Sequence, residues 1–142
     1  MNSLRERITR EVLARIASAV APVPVLRQPV TPQAREASPF VAVTAESDKQ
    51  VQRSNLVEQR ALIVRLSAVS RNADDPWSEA DALLCKAHAT LMTDLTLGGL
   101  ALAVQQQDVD FAAEDADAQA VAIPAAYAVT YRIRVSDLTQ GG

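Results

Sequence analysis

The chain has 142 residues, of which 49% are hydrophobic, 22% charged and 4% aromatic, and its net charge is −3. These values are typical of one globular domain over residues 1–142; they exclude a disordered chain, and the acidic balance argues against a general nucleic-acid binder. A single cysteine excludes an intrachain disulfide, and residues 1–20 contain no uncharged hydrophobic run, so we expect a protein made in the cytoplasm that does not enter a membrane.

The first predicted element is an amphipathic helix over residues 3–20. Ser3 and Glu6 have the spacing of a capping box, in which a side chain and the backbone satisfy each other at a helix start. Apolar residues then recur along one face, at Leu4, Ile8, Val12 and Ile16. Prolines end this helix, and a short strand around Val25 follows, which belongs at a sheet edge because proline removes ladder donors.

Two better strands are predicted next, over Phe40–Thr44 and Leu56–Val69. The polar stretch between them, Glu46–Asn55, is interpreted as an exposed loop or hairpin tip. The longer strand has apolar residues in both phases, which indicates that both of its faces are partly covered.

A central helix is predicted over residues 76–93, with Asp75 as its N-cap and Pro76 in the first position. Its apolar stripe contains Trp77, Ala80, Leu84, Ala87, His88, Leu91 and Met92. Trp77 either caps the core or lies at a subunit interface, and the sequence leaves both open.

Gly98-Gly99 predicts a turn, and two strands follow over residues 100–111 and 127–136. The last strand alternates cleanly between apolar and polar residues. Gly141 and Gly142 predict a flexible end. The order of elements predicts an α+β fold, with a four- to five-stranded antiparallel or mixed sheet and two main helices packed on one face.

Few residues are candidates for catalysis or for binding a nucleotide or a metal. The four glycines are either terminal or adjacent, so no glycine-rich nucleotide-binding loop can form. His88, the only histidine, is interpreted as a residue at the edge of the core, and Cys85 as a small buried hydrophobic side chain. We therefore expect no enzymatic activity, no cofactor and no metal.

Two sets of charged residues, one acidic and one of arginines, each allow two interpretations. A cluster of acids, which we favour as a solvated turn, could instead hold a divalent cation: Asp108, Asp110, Glu114, Asp115 and Asp117. Arg132 and Arg134, on the non-core face of the last strand, could meet Arg65 across the sheet. We favour ordinary edge charge for these arginines over a strip that faces an acidic partner or nucleic acid.

The whole series of elements resembles one family. The residues that carry the resemblance are those at the start of the first helix, two strand segments, the central helix and its exit, and the closing strand: 1–8, 38–43, 62–66, 74–84, 97–102 and 127–134. In this order they resemble the tail terminator proteins of long-tailed phages, also called tail completion or minor tail protein U-like proteins. The resemblance implies a small α+β subunit without catalytic residues.

The resemblance also implies a function and partners. Subunits of this family form a ring, commonly sixfold, on the last ring of the tail tube, where the ring stops tube polymerisation and joins the head. The expected partners are further copies of the chain, the tail tube protein and a head–tail connector or neck protein, with DNA passing through unbound and the protein at the head-proximal end of the virion tail. We expect interface residues at Lys49, Gln50, Gln52, Arg53, Arg65, Arg132 and Arg134.

Two alternatives to the terminator function remain open. One is a head–tail connector of similar fold. The other is a ligand- or metal-binding α+β domain that uses Asp108, Asp110 and Asp117.

Overall fold

The structure is a computed structural model and describes residues 2–28, 39–72, 74–109 and 120–142. Its helices and strands, in chain order, are α1 (Leu4–Val20), β1 (Val25–Arg27), β2 (Phe40–Ser54), β3 (Val57–Ser70), α2 (Pro76–Thr93), β4 (Ala103–Gln107) and β5 (Val121–Arg134).

The strands form one five-stranded sheet in the order β1-β2-β3-β5-β4. β1 runs parallel to β2, and all other neighbours are antiparallel. The prediction of an α+β fold with a mixed sheet is therefore confirmed. The crossover in strand order follows from α2, which connects β3 to the far side of β5.

Both helices pack on the same face of the sheet, here called the inner face. α1 buries its predicted apolar stripe, and α2 buries Ala80, Leu83, Ala87 and Leu91. The residues they cover on the central strands alternate, as the two-residue period of a strand requires: Leu62, Val64 and Leu66 on β3, and Tyr127, Val129, Tyr131 and Ile133 on β5. Side chains of the opposite phase lie on the outer face.

The helix starts follow the predicted capping chemistry. The Ser3 hydroxyl accepts a hydrogen bond from the Glu6 N–H at 3.1 Å, and the Asp75 carboxylate accepts one from the Ser78 N–H at 3.1 Å. The Glu6 carboxylate binds Arg10 and forms two hydrogen bonds of 2.7 Å with Arg27, and the latter tie α1 to the edge strand β1.

The sequence predicts an exposed loop or a hairpin tip over Glu46–Asn55. The loop prediction is wrong, because most of this stretch belongs to a strand. β2 continues to Ser54 and pairs with β3 along almost its whole length, so only Asn55 and Leu56 form the turn. Polar residues occupy this part of β2 because its pairing with β1 ends at Val43, which leaves the rest of the strand as an edge of the sheet. Two register shifts, at Ala45/Ser47 and Gln50/Gln52, interrupt the pairing.

The predicted strand over residues 100–111 is shorter in the structure. β4 spans Ala103–Gln107, because the chain before it turns through Leu97, Gly98 and Gly99, all with positive φ. The predicted turn at Gly98-Gly99 is thus confirmed, and Phe111 lies outside the described residues.

β5 begins at Val121 and includes Pro124, earlier than the predicted start at residue 127. The Thr130 carbonyl and the Arg134 N–H both point towards the β4 side of β5. Residues separated by an even number of positions in a strand point their main-chain groups to the same side, so the Pro124 nitrogen also points towards β4. The pairing with β4 ends at Ala126. The missing N–H of Pro124 therefore removes no bond to β4.

Candidate interaction surfaces

The hairpin of β2 and β3 is the most prominent feature beyond the core. β2 is buried over Phe40–Val43, and its last six residues, 49–54, are all exposed. The hairpin is part of a three-stranded region of the sheet, because β5 pairs with β3 as far as Val57↔Arg134. Its exposed side is β2, whose pairing with β1 ends at Val43.

The structure separates the predicted interface residues of β2 onto two faces. Lys49 and Gln52 are opposite Ala61 and Gln59 on the outer face. Gln50 and Arg53 are opposite Arg60 and Glu58, which have the phase of the inner face. The four residues therefore do not form one patch.

Arg132 and Arg134 lie on the outer face, as Lys49 and Gln52 do. Gln59 pairs with both Gln52 and Arg132, so these three residues form a row across β2, β3 and β5. Val57 likewise aligns Ser54 with Arg134. We call the surface formed by Lys49, Gln52, Arg132 and Arg134 the distal basic face.

Arg65 does not meet Arg132 and Arg134, and that prediction is wrong. Arg65 has the same outer-face phase, but its partner on β5 is Ala126. Ala126 and Arg132 are separated by about 20 Å, given a rise of about 3.3 Å per strand residue. The sequence correctly predicts the face of Arg65 but not its register, which depends on where the hairpin turns.

Between Arg65 and the distal basic face, the outer face carries short side chains. Ala61 of β3 and Ala126 and Ala128 of β5 have this phase. Neither helix covers them, because the buried residues of both helices pack with inner-face residues. A smaller apolar cluster of Phe40, Ala42, Leu26 and Val69 occupies the opposite end of the outer face.

Asp48 organises the base of the hairpin on the inner face. Its carboxylate accepts hydrogen bonds from the Tyr131 hydroxyl at 2.5 Å, from Arg60 Nε at 2.9 Å and from Arg5 at 3.2 Å. Arg60 also donates to the Asp48 carbonyl at 3.1 Å and contacts Glu58. The Asp48 side chain is only 9% exposed, so this network links α1, β2, β3 and β5 in a largely buried setting.

The sequence prediction missed this network. Burial, together with the neighbouring Asp48 carboxylate, raises the pKa of Tyr131 well above its usual range. One feature of the sequence does indicate such a network: Tyr131 falls on the core face of a strand, where its buried hydroxyl needs a hydrogen-bond partner. Nothing in the sequence identified Asp48 as that partner, because a register shift beside it sets its phase.

His88 and Cys85 both lie on α2. His88 is half-buried, as expected at the edge of the core, and its Nδ1 lies 2.7 Å from the Tyr127 hydroxyl. Burial raises the pKa of Tyr127 to about 12. Within the described ranges, no group of three or more His, Cys, Asp or Glu side chains could hold a metal ion.

Two residues of α2 differ from their expected environments. Cys85 is exposed, so its interpretation as a buried hydrophobic residue is wrong; it lies on the solvent side of a helix whose buried stripe passes through Leu83 and Ala87. Trp77 is 62% exposed, which contradicts a role as a cap of the core within this chain.

The acidic alternative concerns mainly residues that the structure does not describe. Asp108 is exposed just after β4, whereas Asp110, Glu114, Asp115 and Asp117 lie outside the described residues. The solvated turn and the cation site therefore both remain predictions.

Comparisons with known proteins give no family for this chain. No protein-family model matches it, and no curated protein shows a significant match. Separately, none of the described helices is long and apolar enough to cross a lipid bilayer.

Proposed function

We propose that this protein is a tail terminator of a long-tailed phage: a virion structural protein whose copies, six in the family it resembles, form a ring on the end of the tail tube. The ring stops tube polymerisation and provides the surface that joins the head. In this proposal the chain has no enzymatic activity and needs no cofactor, and it lies at the head-proximal end of the tail after synthesis in the host cytoplasm.

The observation that carries the proposal is the polar hairpin, together with the face it extends. The last part of β2 is an exposed edge of the sheet that adds little to the burial of the chain's own apolar surface, and it is well placed to contact a neighbour. Exposed apolar residues at its end, Val51 and Leu56 at 58% and 77% exposure, are the kind of side chain that a subunit contact covers.

The charges of the hairpin support a directional contact. Its distal basic face carries Lys49, Arg132 and Arg134, while Asp48 and Glu58 take part in the inner-face network. A ring needs two different, complementary patches on each subunit. In a chain with a net charge of −3, an acidic patch on the next copy is a suitable complement for the basic one.

The acidic composition also suits a ring through which DNA passes. Phosphate binding depends on clustered lysine and arginine, and the family resemblance requires passage without retention. We therefore place the distal basic face at the contact between subunits and away from the channel.

The proposal is tested by sedimenting the protein with tubes of its tail tube protein, sheared to two different mean lengths. A terminator binds only tube ends, so the amount bound per tube should stay constant while the amount per tube subunit falls as the tubes become longer. Binding in proportion to tube mass, or no binding, would contradict the proposal. Binding only to portal or neck assemblies would favour the connector alternative.

A further inference from the structure

A cavity of about 460 Å³ lies at one end of the molecule, where four separate parts of the chain meet. They are the first turn of α1, the loop before β4, the β4-side edge of β5 and the last residues of the chain. The lining residues are Leu4, Arg7, 99–102, Arg132 and 139–142. This lining includes two arginines, the carboxyl-terminal Gly142 and, among the residues that the structure describes, no aspartate or glutamate side chain.

Arg7 differs from the other arginines of α1. Arg5, Arg10 and Arg15 each have a carboxylate partner, in Asp48, Glu6 and Glu11 respectively. Arg7 instead donates from Nη2 to the Thr139 main-chain carbonyl, and its buried Nε–H has no acceptor in the described part of the chain. A buried donor without a partner is unfavourable, and a charged one more so.

Arg132 brings a second guanidinium to this cavity. Its side chain is exposed, and among the described residues it forms neither a hydrogen bond nor an ion pair. A smaller cavity of about 300 Å³ is also lined by Arg132, together with Gln52 and Gln59.

The main chain of β5 adds a further donor at the same place. Thr130 accepts from the Leu102 N–H at 2.7 Å, and the Arg134 N–H donates to Gln140 at 3.0 Å, both on the β4 side of β5. Arg132 lies between them, so strand alternation directs its N–H and C=O to the same edge. The register with β4 ends at Thr130, so no β4 residue pairs with Arg132 there.

We infer that this cavity is a binding site for a small oxyanion, of the phosphate or carboxylate type. Guanidinium groups and main-chain N–H groups are the donors that proteins use for such ligands, and charge-assisted hydrogen bonds of this kind are among the strongest. Because Arg7 Nε is shielded from solvent, we expect a bound ligand to contact Arg132 first and to shift the Arg7 guanidinium from Thr139. The inference concerns the free subunit, because the proposed ring would cover Arg132 at the contact between subunits.

Thermal unfolding at constant ionic strength tests the site. We expect inorganic phosphate, glutarate or both to raise the melting temperature of the wild-type protein in a saturable way, compared with chloride. Arg132→Gln should weaken the apparent affinity by about tenfold or more, the order of effect of losing one charge-assisted bond. Arg134→Gln is the matched control: it lies two residues away on the same strand and face, outside the cavity lining, and should respond like the wild type.

The two probes also distinguish the source of the ligand. A response to phosphate alone assigns the site to a phosphate group, a response to glutarate alone assigns it to a carboxylate, and a response to both indicates an oxyanion site without selectivity. Equal responses of the Arg132 and Arg134 variants, or no response above chloride, would overturn the inference. Because Arg132 has no structural partner in the described chain, its variant should fold, which keeps this comparison decisive.

Discussion

At the scale of single residues, Asp48 has the largest predicted effect on stability. It accepts bonds from a tyrosine and two arginines while its own side chain is 9% exposed, so its removal leaves the Tyr131 hydroxyl without its acceptor and Arg60 with Glu58 as its remaining carboxylate partner. Such a loss is costly because the remaining groups stay partly desolvated. The arginine pairs of α1 with Glu6 and Glu11 are more exposed and contribute less.

Tyr131→Phe and Asp48→Asn test this network. We expect Tyr131→Phe to lower the free energy of unfolding by about 1.5–3 kcal/mol, the range for a hydrogen bond to a charged group, and Asp48→Asn by about 3 kcal/mol. In urea unfolding, the double variant should lose less than the sum of the two. Glu46→Gln, an exposed change in the same strand, should stay within about 0.5 kcal/mol of wild type. Additive losses would contradict direct coupling.

Glu6 predicts a pH dependence at the edge of the sheet. Its hydrogen bonds to Arg27, with a smaller contribution from Arg10, lower the pKa of Glu6 from 4.5 to about 2. A lowered carboxyl pKa stabilises the fold above the unfolded value, and this stabilisation is lost as the pH falls from 4.5 towards 2. We expect Glu6→Gln to be less stable than wild type at pH 7, by up to about 1 kcal/mol.

The same variant should approach wild-type stability near pH 2. Unfolding of both proteins by urea between pH 2 and pH 7 measures this convergence. A stability difference that stayed constant across that range would show that the Glu6 carboxylate does not act through its charge.

At the scale of elements, the sequence predicted what local patterns determine. Helix starts at Ser3 and Asp75 follow from side chains that cap the first turn, and the stripe of α1 follows from its spacing. The extent of β2 could not be predicted in the same way. A polar strand carries no hydrophobic alternation, so its pairing depends on the partner strand β3 and on two register shifts.

For the candidate surfaces too, the sequence predicted what depends on local alternation and not what depends on strand register. The outer face of Arg132 and Arg134 was predictable from the alternation of β5, and Lys49 and Gln52 join them through register alone. Arg65 was misplaced for the same reason. The cavity lined by Arg7 and Arg132 was not predicted from the sequence, because it joins four parts of the chain that are distant in sequence.

The two faces of the hairpin can be tested with one type of substitution. Gln52 has outer-face phase and Gln50 has inner-face phase, so Gln52→Glu and Gln50→Glu add the same charge to opposite sides of one strand. We expect Gln52→Glu to weaken ring assembly and tube binding by about tenfold, because it adds an acid to the distal basic face. Gln50→Glu, opposite Arg60, should leave both nearly unchanged. Equal effects on sedimentation with tubes would contradict the assignment of the contact to the outer face.

At the scale of the whole molecule, the structure combines a covered sheet face with an open one. The two described helices cover the inner face, the core is continuous beneath them, and the exposed end of β2 and the distal basic face remain open. An isolated subunit of this kind leaves exposed apolar residues at the hairpin end and on α2, including Leu56 and Trp77. In the proposed ring, neighbouring copies and the tube cover these residues.

Electron microscopy of negatively stained tail tubes, with and without the protein, tests the terminator proposal most directly. We predict a ring at one end of each tube and, when the protein is present during assembly, tubes that stop growing. The solution mass of the free protein shows separately whether the ring forms before it meets the tube. Tubes with bare ends that continue to elongate in the presence of the folded protein would contradict the proposed function.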